Sequence, residues 1–117
     1  MKNDKAQKIY KAIISDLEKG SVDVDKITGQ IDDLRVIAKQ IEDPLVLKTL
    51  RFIKEKLAQG DGFELEIETD EEEEEDVEIE VPEDQLLYLF QLLVDSDNKY
   101  NREEIKQYRA ALQAELY

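Results

Sequence analysis

Fourteen acidic residues and no Lys or Arg lie between positions 64 and 84. Carboxylates this dense repel one another and need water, so that stretch can bury at most one face, and most of any core must come from the residues on either side. The formal net charge is −14, from 30 acidic and 16 basic residues, so 16 acids face 16 bases in the rest of the chain. The acidity is a local feature on a background that balances to zero.

The flanks are patterned for helices. With 117 residues, 41% of them hydrophobic, the chain has material for one domain with a real core and too little for two. Ala6, Ile9, Tyr10, Ile13, Ile14 and Leu17 recur at helical spacing, and Gly20 follows as a stop. The cleanest stripe is Val24, Ile27, Ile31, Leu34, Ala38 and Ile41, in steps of three and four. Gly29 interrupts it at a cost of about 1 kcal/mol against Ala. Asp43 and Pro44 end that helix and begin the next, Asp43 as N-cap and Pro44 at the first helical position. Val46, Leu50, Ile53 and Leu57 then face inward until Gly60 and Gly62 close the run. Short links predict antiparallel neighbours, hence a three-helix unit over residues 1–59.

In the acidic stretch the period changes to two. Phe63, Leu65 and Ile67 alternate with Glu64, Glu66 and Glu68, and Val77, Ile79 and Val81 alternate with Glu78 and Glu80. This pattern predicts an acidic β-hairpin over residues 63–81, with Leu65 opposite Ile79. That register sets Glu64 against Glu80, Glu66 against Glu78 and Glu68 against Asp76, like charges that cost roughly 0.2–1 kcal/mol per pair. After Pro82 the helical period returns. Every residue over 86–94 except Gln91 is apolar, so this helix is either central to the fold or covered by another chain. The last helix is expected to start at Asn101, with Glu104 completing a capping box and Ile105, Tyr108, Leu112 and Leu116 facing inward. The expected fold class is α+β and mainly helical: a single domain with a three-helix unit at 1–59, the hairpin at 63–81 and a helical hairpin at 82–117.

Residues 92–105 resemble the helix–loop–helix of an EF-hand, with Asp95 and Asp97 at its first and third ligand positions. The departures are Lys99 at the fifth position, Tyr100 where the motif has Gly, and Lys106 where it has a bidentate Glu. An ordinary helical turn with Asn101 as cap is expected there, without a calcium site.

Catalysis finds little support. There is no His and no Cys, which removes the commonest base and the thiol nucleophile. The glycines fall at helix stops or alone, so no phosphate-cradling loop is present, and neither catalytic residues nor a cofactor are expected. The residues after Met1 are polar, so no signal peptide is expected. The apolar run over 86–94 is about half the length a bilayer requires. A cytoplasmic protein is expected, with no membrane partner.

The expected function is binding. Glu64, Glu66, Glu68, Glu71, Glu72, Glu73, Glu74, Glu75, Asp76, Glu78 and Glu80 are the candidate contacts for a basic protein partner. Such a domain would be an adaptor, a chaperone-like subunit or an inhibitor. The alternatives are a nucleic-acid mimic that inhibits a nucleic-acid-binding protein, and a structural oligomer subunit without an electrostatic partner. Direct binding of nucleic acid is not expected, since no basic stripe offsets the acidic one. The apolar run also suggests a homodimer through residues 86–94.

Overall fold

The computed structural model describes residues 3–20, 22–60, 63, 65 and 84–117. They form five helices: α1 (Asp4–Glu18), α2 (Val24–Gln40), α3 (Pro44–Gln59), α4 (Gln85–Val94) and α5 (Lys99–Leu116). The described residues contain no strand, which overturns the α+β class in favour of an all-helical one. Of the predicted hairpin over 63–81, only Phe63 and Leu65 are described, and neither is in a strand. The remainder lies outside the described residues. At Leu65 the physical reason is visible: its backbone N–H and C=O both bond the Gln85 side chain, in place of a β-ladder.

Each helix starts where a short polar side chain takes up an orphan N–H. Asn3 accepts from the Ala6 N–H at 3.0 Å, Asp23 from Lys26 at 3.2 Å and Asp84 from Leu87 at 3.0 Å. Asp43 caps α3 as predicted, accepting from the Val46 N–H at 3.3 Å, with Pro44 in the first turn. For α5 the predicted start is corrected: the cap is Asn98, whose Oδ1 accepts from the N–H groups of Tyr100 and Asn101. Asn101 sits within the first turn and donates its side-chain amide to the Asp95 carbonyl. Glu104 has other work, accepting from the Tyr88 hydroxyl.

The predicted stripes supply the core. Ile27, Ile31, Leu34 and Ala38 of α2 are buried, while the stripe's end residues Val24 and Ile41 are exposed. Ala6, Tyr10, Ile13 and Leu17 come from α1, and Val46, Leu50 and Ile53 from α3. Packing runs in a ring: α2 on α3, α3 on α5, α5 on α4, α4 on α1 and α1 on α2. The first three helices therefore do not close as a unit of their own. Helices α4 and α5 fill the space between α1 and α3, and one core draws on both flanks of the acidic stretch.

Helix α4 explains its own composition. Leu86, Leu89, Phe90, Leu92 and Leu93 are buried, and Leu87, Tyr88 and Val94 pack against the core. The burial that suggests a homodimer through residues 86–94 is supplied within one chain. No helix of the described residues is long and apolar enough to cross a membrane.

Candidate functional site

The residues predicted as partner contacts (Glu64, Glu66, Glu68, Glu71, Glu72, Glu73, Glu74, Glu75, Asp76, Glu78 and Glu80) lie outside the described residues. What the structure supplies is the place where their stretch joins the bundle. Helix α3 ends on Gly60 in the left-handed conformation, at φ 74°. Phe63 then packs against the core and Leu65 enters it, only 6% exposed. The Leu65 N–H donates to Gln85 Oε1 at 2.7 Å, and Gln85 Nε2 donates to the Leu65 carbonyl at 2.9 Å. Gln85 is itself buried, and Asp84 before it caps α4. Leu65 and Gln85, which bracket residues 66–84 with their thirteen acids, are thus bonded to each other at a single neck.

Further polar side chains extend the neck into the α4–α5 interface. Gln85 lies near Tyr108, and the Tyr88 hydroxyl donates to Glu104. The rings of Tyr88 and Tyr108 lie 6.0 Å apart. Burial, then the bond to Glu104 and that residue's charge, push the Tyr88 hydroxyl up to about 12. Burial and Glu104 also raise Tyr108, against the opposing effect of Gln85. Both phenols are therefore neutral at ordinary pH.

A second polar cluster ties the α2–α3 turn to the α4–α5 turn. Arg102 grips Asp43 with both terminal nitrogens, at 3.1 Å each, and its Nη1 also donates to the Ser96 carbonyl at 3.2 Å. Burial pushes the Asp43 carboxyl up, but bonds from Arg102 and the Val46 N–H, with the Arg102 charge, hold it below the ordinary carboxylate value. Beside this pair an open cleft of about 580 Å³ is lined by Ile41, Glu42, Asp43, Pro44, Asp97 and Arg102. The guanidinium fork is already engaged by Asp43. Tyr10, buried near Asp43, has a hydroxyl without a hydrogen-bond partner among the described residues. Burial first, then the Asp43 charge, raises it far out of the physiological range.

The EF-hand resemblance ends at this turn. Only four residues, 95–98, separate α4 from α5, and they form a tight turn capped by Asn98. Among the described residues no three His, Cys, Asp or Glu are grouped to hold a metal ion.

Sequence reading identified Asp43 as a cap but not Arg102 as its partner, 59 positions away. It passed over Gln85, the residue that closes the neck. A Gln at the edge of an apolar run carries no signal that its amide will face a distant backbone. No family model, curated protein or solved structure matches this chain.

Proposed function

We propose that this chain is a non-catalytic interaction domain whose acidic stretch, residues 64–84, docks on a basic protein partner. The observation that carries the reading is the confinement of the whole net charge to one stretch, whose ends join the bundle at Leu65 and Gln85. The charge-balanced helices serve as the support, and Glu64, Glu66, Glu68, Glu71, Glu72, Glu73, Glu74, Glu75, Asp76, Glu78 and Glu80 are the contacts. A dense patch of one sign speeds encounter with an oppositely charged surface, and the effect weakens with salt. Each exposed charge acts over a Debye length of about 8 Å at physiological ionic strength and adds little alone.

The test is chemical crosslinking in native cell extract at low and high salt, with wild-type protein and with Glu64, Glu66, Glu78 and Glu80 changed to Gln. Partners should be captured through residues 64–84, more weakly at high salt and more weakly by the Gln variant. Capture that ignores salt, or crosslinks confined to the helices, refutes the docking role.

A further inference from the structure

We propose that Phe63 and Leu65 form a latch that leaves the bundle while all five helices stay folded. The helices close on one another in a ring, each packed on two others, and no step of that ring passes through Leu65. Leu65 belongs to no helix. Among the described residues, its attachment is its buried side chain, the half-buried Phe63 and the pair of bonds to Gln85.

Those described contacts lie together at one place on the bundle. A residue inside α3 or α4 is held by a ladder of backbone bonds that fails only with its neighbours. The two Leu65 bonds run instead to one side chain, and a single swing of Leu65 breaks both. Once the latch is out, water reaches the Gln85 amide and the Leu65 backbone together, so no buried polar group is stranded by the opening. Regions held by few buried contacts, with backbone bonds that water can take over, open sub-globally.

The consequence is a two-position neck. Closed, Leu65 and Gln85 touch; open, they separate and both meet water. The device is independent of the docking reading: it stands or falls on the neck alone, with no partner present.

Native-state amide exchange followed by NMR at low urea tests it. In the wild-type chain the Leu65 N–H should be protected, yet exchange about tenfold or more faster than the N–H groups of Leu50, Ile53 and Leu89, with a smaller dependence on urea. In Gln85→Ala the Leu65 protection should fall by about tenfold or more while the helix amides keep theirs. Leu65 exchanging at the core rate with the core's urea dependence would show that it opens only on global unfolding and would overturn the latch. That wild-type comparison decides the matter even where Gln85→Ala does not fold.

Discussion

Two distant parts of the chain are tied by polar side chains, one tie at the neck and one at the α2–α3 corner, and they are built oppositely. At the neck a neutral amide, buried, meets both backbone groups of Leu65. At the corner a charged fork, with Arg102 one-third exposed, meets a carboxylate that already caps a helix. The neck tie carries no charge and so does not respond to pH. Its value comes from the cost of leaving Leu65 unpaired in the core. The corner tie is screened by water, and much of its value lies in the cap that Asp43 supplies to α3. The same need, to hold a turn against the bundle, is met once by burial and once by charge.

The largest effect separating them should come from Gln85→Leu. The side chain keeps its bulk and loses both hydrogen-bonding atoms, so the Leu65 N–H and C=O are left buried without partners. Each unsatisfied group costs about 1–3 kcal/mol. Urea denaturation should show a loss of roughly 2–4 kcal/mol, reduced to the extent that the latch escapes into water. A loss below about 0.5 kcal/mol, with Leu65 still protected from exchange, would mean that the amide is not the fastening.

Asp43→Ala should cost less, about 2 kcal/mol, of which roughly half is the cap and the rest the ion pair. Its signature is in pH. The Asp43 carboxyl is held below its ordinary value, so its contribution is fully present above about pH 4–5. It is lost as pH falls below the unfolded value of about 3.9 and through the depressed folded one. The gap in stability between wild type and Asp43→Ala should therefore be constant near neutrality and narrow below about pH 4. The gap between wild type and Gln85→Leu should show no such narrowing from this cause. Matching acid profiles for the two variants would erase the distinction drawn between the ties.

The difference in kind also governs what could be read in advance. Stripes such as Ile27, Ile31, Leu34 and Ala38, and the Asp43–Pro44 junction, are local patterns whose cause lies within one or two turns, and the structure has them where the periodicity puts them. The central place of α4 was legible as one of two options, because a helix apolar on all sides needs cover from somewhere. Leu65 was misread because alternation around it is also local, whereas its partner is a side chain 20 positions on. Period two says which side chains share a face; it does not say what pairs with the backbone. Asn98 and Asn101 are chemically equivalent candidates for one cap, and only the length of the turn chooses between them. Arg102 and Asp43 meet because two turns meet, which no spacing announces. Of the candidate site, the predicted acidic contacts were legible as a charge pattern, while the neck that carries them was not.

A reference point away from both ties is Gly29, exposed in the middle of α2 with nothing within 4 Å of where a Cβ would stand. Gly29→Ala should stabilise the chain by about 1 kcal/mol, through helix propensity alone. Added to Gln85→Leu or to Asp43→Ala, it should shift each by the same amount, since distant sites with no shared partners add. Unequal shifts would mean that α2 communicates with one of the ties.

The smallest effect tests whether the corner carries strain that the neck does not. Glu42 has φ 56°, and it is the one non-glycine residue with positive φ among the described residues. It occupies the position after the α2 C-cap where Gly is the usual choice: its N–H bonds the Lys39 carbonyl, and the next N–H, of Asp43, bonds that of Ala38. A side chain in this conformation costs roughly 1–2 kcal/mol, and Gly returns part of the gain through the entropy it loses on folding. Glu42→Gly should therefore stabilise by about 0.5–1 kcal/mol, read as a higher urea midpoint at unchanged slope. Glu42→Ala keeps the strain and removes the charge beside Asp43 and Asp97, so it isolates the electrostatic share. If Ala gains as much as Gly, like-charge crowding in the cleft explains the effect and the backbone there is not strained. If Gly alone gains, the Arg102 grip on Asp43 is holding a turn that its own sequence resists, and the double variant Glu42→Gly, Asp43→Ala should lose less than the sum of the separate changes predicts.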